Sequence, residues 1–271
     1  MKLVSYKRTV AAVDEQWQVG LLFDDRVICV RKLVPDAPST MQELLDDWPR
    51  WQKCLLERAG KRELQHQHSL SLREIVLGAP LPRPQSFRDF YAFEQHVKTA
   101  RAQRGLEMVP EWYHFPAFYF SNAAAVVGPE AEIAKPAATQ WLDYELEIAC
   151  IIGKGGVDIP IEAAEEHIAG FCVLNDWSAR DLQRAEVKVG LGPAKGKDFA
   201  TSMGPSLVTL DELEDLRISG ETGSRYDLTM VARINGVEYS RGNFRDIYFT
   251  FAEMIARASA DCPLYPGDVI G

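Results

Sequence analysis

The sequence lacks the patterns that mark several large classes of protein. Its five cysteines are scattered without a C-x-x-C pair, which argues against a disulfide framework or zinc knuckle and favours reduced core thiols. No apolar run approaches the roughly 18 residues of a membrane span, and the N-terminus has no secretory signal. Positive charge is scarce, with a net charge of −9, so a nucleic-acid partner is not expected. We expect a cytoplasmic protein without membrane or nucleic-acid partners.

The composition is ordinary for a globular protein, and 271 residues are enough for one large domain with a smaller companion. Residues 2–34 predict short strands. Thr40 and Glu43 have capping-box spacing, so a helix should begin there. His66 and His68 stand in a polar stretch typical of a solvated surface. Residues 77–84 are rich in proline and predict a linker. We therefore predict a small N-terminal α+β module over residues 1–75 and a larger domain over residues 76–271, which holds the segments discussed next.

An acidic stretch at residues 141–153 alternates carboxylates with apolar side chains, as a strand does. Asp143, Glu145 and Glu147 would share one face, about 7 Å from neighbour to neighbour. So much like charge on a partly buried face needs a positive partner, and a bound hard cation would supply one. The alternative is a solvated outer face on an antiparallel edge. Asp176, at the predicted end of an apolar strand, favours the cation.

The segment from residue 87 to 104 has helical spacing of apolar residues. Asp89 and His96 lie seven residues apart, close to two turns, so a helix would place both on one face. The pair predicts a functional site, and a structural histidine is the alternative. The next helix prediction, at residues 161–170, ends at Gly170.

A glycine-rich loop at residues 190–201 carries Lys195 and Lys197 beside bare backbone. This suits an anionic substrate, although a flexible surface loop is the alternative. Further on, Asn235 and Gly236 predict a hairpin, and Thr250 with Glu253 predicts another capped helix. Residues 269–270 begin a strand at which the sequence stops, and we expect a further C-terminal segment.

Four segments in order resemble one known family. They are L-D-Y-E-L-E at 142–147, N-D-W-S-A-R-D-L-Q at 175–183, G-K-D-F-A-T at 196–201 and L-Y-P-G-D-V-I at 264–270. The chain is similar in these segments to the fumarylacetoacetate hydrolase family, from about residue 83 to residue 271. The resemblance implies a mixed α/β, mainly β fold: a bent mixed β-sheet roll with few helices, here joined to the small N-terminal module. It also implies a homodimer.

The resemblance implies a role for each matching residue. The expected ligands of a divalent cation are Glu145, Glu147, Asp176 and Asp89. The expected catalytic residues are His96 and Lys197. The expected substrate contacts are Tyr91, Tyr119, Gln183 and Arg104. Lys197 and Thr201 are also expected either to contact a second metal ion or to belong to the functional part of the glycine-rich loop. Asp143 is expected to have a structural role.

These residues together predict an enzyme for a small carboxylic acid. Carboxylate oxygens suit Mg²⁺ first, with Ca²⁺ or Mn²⁺ as alternatives. The cation would polarise a β-diketo acid and hold the enolate that leaves when a carbon–carbon bond is hydrolysed, while His96 activates water. Decarboxylation, hydration or isomerisation of a related 2-oxo acid is the alternative, and a binding protein without catalysis is a third reading.

The chain departs from the family pattern at two places, the glutamate partner of the general base His96 and the position of an arginine. Its glutamate partner in the hydrolase branch would lie beyond residue 271, and the position three residues after His96, where another branch has a glutamate, is Thr99. Arg104 stands eight residues after His96, where the family has an arginine about nine residues away. The N-terminal module is expected to support dimerisation or to cover the site.

Overall fold

A computed structural model describes residues 1–10, 16–59, 68–190 and 192–271. Its centre is one open, 12-stranded mixed sheet, accompanied by three two-stranded sheets. The strand order along the large sheet is β4-β3-β2-β1-β13-β11-β10-β18-β6-β7, with β5 on β1 and β8 on β13. Pairs β18–β6 and β13–β8 are parallel and the remaining pairs are antiparallel. The predicted mainly β, mixed-sheet fold with few helices is confirmed.

The strands are short. They are β1 Lys2–Arg8, β2 Gln18–Phe23, β3 Arg26–Cys29, β4 Leu70–Ser71, β5 Ile75–Leu77, β6 Phe87–Phe90, β7 Phe118–Phe120, β8 Val126–Val127, β9 Leu142–Asp143, β10 Glu147–Ile152, β11 Ile168–Asp176, β12 Ser178–Ala179, β13 Thr201–Val208, β14 Arg217–Ile218, β15 Arg225–Tyr226, β16 Thr229–Ile234, β17 Val237–Asn243 and β18 Val269–Ile270.

The α-helices of the described residues lie mostly at the surface. They are α1 Val30–Leu33, α2 Met41–Leu45, α3 Trp48–Ala59, α4 Glu94–Ala102, α5 Ile161–Ala164, α6 Arg180–Val187 and α7 Phe251–Ser259. Helices α2 and α7 begin with the predicted capping boxes, because Thr40 and Thr250 accept hydrogen bonds from the N–H groups of Glu43 and Glu253. The Asn235–Gly236 hairpin is also confirmed, with positive φ at both residues between β16 and β17.

The N-terminal residues share a sheet with the rest of the chain. Strand β1 pairs with β13 through Leu3 and Leu207, and one hydrophobic core includes Leu3, Leu44, Ile151 and Val269. The linker interpretation of residues 77–84 is wrong, since Ala79 and Leu81 of that stretch are buried in the same core. The domain boundary at residue 75 stays a prediction. His66 lies outside the described residues, and His68 is exposed.

Two helix predictions are confirmed only in part, because sheet pairing overrides local spacing at one end of each predicted range. Asp89 lies on strand β6, between β18 and β7, and helix α4 begins only at Glu94, so Asp89 and His96 do not share a helical face. Gly170 does not end a helix but lies inside β11, where an added Cβ would come within 2.3 Å of the Val208 carbonyl oxygen. This close approach explains the glycine.

The acidic stretch is not one continuous strand. Asp143 ends β9, which pairs with β12, while β10 begins at Glu147. Glu145 lies between the two strands, and its N–H donates to the Asn175 side-chain oxygen at 3.0 Å. Side chains therefore alternate between the two faces of a strand, as predicted, only from Glu147 onward.

The face of the sheet decides where the site lies. Phe87, Ala149 and Leu174 belong to the core that α2 and α3 cover, and side chains two residues away on each strand point to the same side. Asp89, Glu147 and Asp176 are those neighbours on β6, β10 and β11. The three carboxylates therefore lie at the border of this core.

Candidate active site

The carboxylates come together because three strands present them at the border of one buried surface. Asp89 is 4% exposed and Asp176 is completely buried at the end of β11. Glu147 stands at the start of β10. The hydrogen bond from the Glu145 N–H to the Asn175 side chain ties the preceding segment to the end of β11. The structure thus brings together all four acids that sequence analysis proposed as cation ligands.

Lys197 is the cation at the centre of this group. Its Nζ donates to Glu145 Oε2 at 2.5 Å and lies 2.7 Å from Asp176 Oδ2. Thr201 donates from its hydroxyl to the other Asp176 oxygen at 3.3 Å. The second lysine of the loop, Lys195, is exposed and pairs with Asp198 outside the group. The loop therefore contributes one buried charge, and the surface interpretation holds only for Lys195.

Sequence reasoning did not assign a role to Arg180. Its Nε donates to Asp143 and its Nη1 donates to Glu145, both at 2.8 Å, and Nη1 also donates to Gln183 Oε1 at 3.1 Å. Asp143 is thus held by an ion pair on the outer side of Glu145. The signal for Arg180 was available, because it lies in the N-D-W-S-A-R-D-L-Q segment and buried carboxylates need positive partners.

Tyr119 links two carboxylates from the neighbouring strand. It lies opposite Asp89 in the β6–β7 register, and its hydroxyl is 3.2 Å from Asp89 Oδ2 and hydrogen-bonds Asp176 Oδ2. One hydroxyl proton can satisfy only one of these oxygens at a time. Burial raises the pKa of Tyr119, and the nearby Asp89 charge adds to this, so the phenol remains protonated.

The carboxyl groups differ in pKa. Burial raises the pKa of Asp89 and Glu147, and each is raised further by a neighbouring carboxylate. Burial also raises the pKa of Asp176, despite Lys197. Burial acts in the same direction on Glu145, but Lys197 and Arg180 outweigh it and bring its pKa to about 2. Counted by formal charge, the four carboxyl groups outnumber the two basic residues, Lys197 and Arg180, and the pKa of three of the four is raised.

His96 lies on helix α4 at the exposed edge of the site. Its ring packs edge-on against Tyr91, with ring centroids 5.5 Å apart. Partial desolvation lowers the pKa of His96, and the opposing charge of Glu145 is the next largest influence. Among the described residues, none forms a hydrogen bond with the imidazole, and the Thr99 hydroxyl instead donates to the Gln95 carbonyl oxygen. His96 therefore lies near the acids with a lowered pKa, and no described residue holds its ring by a hydrogen bond.

The remaining predicted substrate residues lie around this edge. Burial raises the pKa of Tyr91, while the charge of Arg104 opposes the shift. Arg104 is exposed, and its Nε donates to the Ala100 carbonyl oxygen at 3.0 Å, while no other described residue forms a hydrogen bond with its guanidinium. Gln183 holds its side-chain oxygen toward Arg180. The roles of Tyr91, Arg104 and Gln183 in substrate binding stay predictions.

The donor set fits a hard divalent cation. In the described ranges, no three of the His, Cys, Asp and Glu side chains surround one point closely enough to hold an ion, since Lys197 lies between Glu145 and Asp176. However, Glu147 Oε2 is buried and has no hydrogen-bond partner among the described residues. A buried carboxylate oxygen with no donor, beside three further carboxylates, is what a cation would satisfy.

None of the helices described is both long and apolar enough to cross a membrane.

Comparison with known proteins gives a family for the chain. The family model "Fumarylacetoacetate (FAA) hydrolase C-terminal" matches residues 85–271. The fumarylacetoacetase of Bos taurus is 32% identical over 224 residues, which are 68% of this chain and 53% of that protein. The chain spans about half to two thirds of the length of the curated relatives it matches first.

Solved structures share the fold. The maleylpyruvate hydrolase from Sphingobium sp. SYK-6, in complex with manganese (II) ion and pyruvate, superposes with a TM-score of 0.72 at 21% identity, over 100% of this chain and 87% of that one. The 5-carboxymethyl-2-hydroxymuconate delta-isomerase from Mycobacterium smegmatis gives a TM-score of 0.67 at 22% identity, over 100% and 86%. From the match over residues 85–271, we conclude that the chain belongs to the fumarylacetoacetate hydrolase family.

Proposed function

We propose that this chain is a divalent-cation-dependent enzyme that hydrolyses a carbon–carbon bond in a β-diketo acid of the acylpyruvate, fumarylpyruvate or fumarylacetoacetate type. The observation that carries the proposal is the meeting of four carboxylates with the buried Lys197 at one border of the sheet. The similarity to fumarylacetoacetases supports the reaction class.

Asp89, Glu145, Glu147 and Asp176 would hold the cation. Mg²⁺ is our first choice and Mn²⁺ or Ca²⁺ are alternatives, because all donors are carboxylate oxygens. The maleylpyruvate hydrolase whose fold this chain shares is described with manganese (II) ion and pyruvate, which supports a divalent cation. When bound, the cation would supply Lewis-acid polarisation of a carbonyl group and stabilise negative charge on the leaving enolate.

His96 would act as the general base. Its lowered pKa leaves the imidazole neutral at neutral pH, and its exposed edge position gives water access. His96 takes one proton from water while the oxygen bonds to the carbonyl carbon. The carbon–carbon bond then breaks, its electron pair leaves with the carbon between the two carbonyl groups, and that carbon takes up a proton. The products are a carboxylic acid and a ketone.

Lys197 and Arg180 would balance negative charge on the substrate. Lys197 keeps its positive charge despite burial, because Glu145 and Asp176 raise its pKa. Arg104 has guanidinium nitrogens that no described residue engages, and it would bind a distal carboxylate. Tyr91, Tyr119 and Gln183 would line the substrate, with Thr201 supporting Asp176.

A decarboxylase, hydratase or isomerase is the second candidate. One observation favours it: within the described residues, His96 has no acidic hydrogen-bond partner to orient it as a base for water. A fold neighbour that is named as an isomerase is consistent with this alternative. Decarboxylation and isomerisation need a proton transfer at an enolate but no attacking water, so the observation favours these two, whereas hydration would still add water.

We further propose a cytoplasmic homodimer. Phe120 on β7 and Val173 on β11 are large apolar side chains that are 66% and 58% exposed on the sheet. Burying them against a second copy would remove apolar surface from water. Light scattering after size-exclusion chromatography would measure the mass, and a monomer at micromolar concentration would contradict the proposal.

The test is an assay with Mg²⁺ or Mn²⁺ on acylpyruvates, fumarylpyruvate, fumarylacetoacetate and oxaloacetate. We expect loss of the diketone absorbance only when the metal is present, and a loss of activity of about 10²–10⁴-fold in His96→Ala. Glu145→Ala should also abolish turnover. His68→Ala, at an exposed histidine, is the matched control. If oxaloacetate loses CO₂ while the diketones stay intact, the hydrolase proposal is wrong and the decarboxylase takes its place.

A further inference from the structure

The loop that carries Lys197 is held by one carboxylate of helix α6. Glu186 Oε2 accepts hydrogen bonds from the N–H groups of Ala194 and Gly196, both at 3.1 Å, and Oε1 accepts from the N–H of Lys195 at 2.8 Å. Three consecutive amides thus point at a single side chain. Only a carboxylate has acceptor capacity on both oxygens for such a set.

The loop is fixed on both sides of Lys197. Before it, Gly196 donates to Glu186 and accepts from the N–H of Ala179 at 2.8 Å. An added Cβ on Gly196 would lie 2.7 Å from the Gln183 backbone nitrogen, so the loop touches α6 directly. After it, the carbonyl oxygen of Asp198 accepts from the Asn122 side chain at 2.8 Å. The backbone of Lys197 therefore has little freedom to move.

This anchoring sets where the Lys197 ammonium lies. The side chain is 4% exposed and its Nζ contacts both Glu145 and Asp176, so a small shift of the backbone would break one contact. If Glu186 lost its carboxylate, water would take its place on the exposed amides, and the loop would lose the hydrogen bonds that tie it to α6. A displaced loop would carry Lys197 with it.

We propose that Glu186 is a positioning residue, which acts on the reaction by holding the 194–196 backbone so that Lys197 reaches Glu145 and Asp176. Among the described residues, the Glu186 carboxylate accepts its hydrogen bonds from the loop amides. Its importance for turnover rests on the proposed function of Lys197, whereas its effect on the geometry of Lys197 does not.

The geometric part is tested by NMR on full-length protein labelled with ¹⁵N at the lysine side chains. A buried, ion-paired ammonium exchanges its protons slowly enough to be observed, and loss of the signal in Lys197→Met would assign it. We expect Glu186→Ala to shift or broaden that signal and to speed hydrogen exchange at the amides of residues 194–196. Glu166→Ala, at a carboxylate 71% exposed, is the control and should change neither. An unchanged Lys197 signal in Glu186→Ala would overturn the proposal.

The kinetic part is a double-mutant cycle on the diketone assay. We expect Glu186→Ala to lower kcat by about 10–100-fold and Glu186→Gln, which keeps one acceptor oxygen, to lower it less. In the Lys197→Met background, Glu186→Ala should change kcat by less than about twofold, because its effect passes through Lys197. Full additivity would overturn the positioning role. If the wild type turns over no diketone, the proposed function fails while the NMR result still decides the role of Glu186.

Discussion

Arg88 and Asp89 are adjacent on strand β6, and their surroundings show two ways of burying charge. Arg88, 5% exposed on one face, donates to the Ser86 hydroxyl at 2.7 Å and lies 4.0 Å from Asp268. Ser86 in turn donates to Asp268 at 2.7 Å, and the Arg88 guanidinium lies over the Phe120 ring at 5.0 Å. This cluster contains one buried cation and one buried anion.

Asp89, on the other face, belongs to a group with surplus negative charge. Glu145 pairs with both Lys197 and Arg180, but Glu147 keeps a buried oxygen that no described residue hydrogen-bonds, and Asp89 shares a tyrosine hydroxyl with Asp176. A balanced cluster serves stability, whereas a surplus raises pKa values and costs stability unless something else binds. The imbalance, rather than burial itself, distinguishes the face that carries the proposed active site.

Removing Arg88 should give the largest effect on stability. Arg88→Met leaves Asp268 buried without its cation, and we expect a loss of about 3–5 kcal/mol in the free energy of unfolding. Urea denaturation would measure it. Arg245→Met, which breaks an exposed pair with Asp227 at 3.1 Å, is the matched control and should cost less than about 1 kcal/mol. Equal losses in the free energy of unfolding in Arg88→Met and Arg245→Met would contradict the prediction that the buried pair matters more than the exposed one.

Removing a charge from the surplus group should act in the opposite direction. Because the pKa of Glu147 is raised in the folded state, its ionisation at neutral pH opposes folding. We expect Glu147→Gln to stabilise the metal-free protein by about 1 kcal/mol at pH 7, and the gain to disappear below about pH 4, where the unfolded carboxyl is also protonated. Thermal unfolding at both pH values would measure this.

A cation should stabilise Glu147→Gln less than it stabilises the wild type. Saturating Mn²⁺ at about 100 times Kd would stabilise the wild type by about 2.7 kcal/mol, and Glu147→Gln by less, because it lacks one carboxylate donor. Glu166→Gln should respond as the wild type does. Metal-free destabilisation by Glu147→Gln would place Glu147 with the balanced cluster instead.

The sequence predicted best what depends on neighbours along the chain. Thr40 with Glu43 and Asn235 with Gly236 act within four residues, and both patterns gave the predicted helix start and hairpin. By contrast, Asp89 was placed on a helix because its apolar neighbours have helical spacing. Strand β6 exists because β18 and β7, which lie far away in sequence, pair with it on both sides. No local pattern contains that information.

The site shows the same division. The acids were found from their own spacing and from family segments, and the structure brings them together. Arg180 was missed even though it lies in one of those segments, since its contact with Asp143 and Glu145 depends on how α6 meets the end of β9. The support from Glu186 was missed for the same reason: a surface-helix glutamate has no sequence feature that connects it with loop amides.

The smallest predicted effect concerns His96, which stands outside both clusters. Desolvation lowers its pKa below the ordinary 6.5, and Glu145 opposes that shift. A general base works when deprotonated, so kcat/KM should rise with pH through this lowered pKa and be level by neutral pH. The acidic limb of the pH profile of kcat/KM should therefore lie below pH 6.5 in the wild type and in His68→Gln. The residual rate of His96→Gln should show no such limb. A limb that survives in His96→Gln would assign it to a carboxyl group of the surplus cluster, whose raised pKa values would then govern both metal-free stability and turnover.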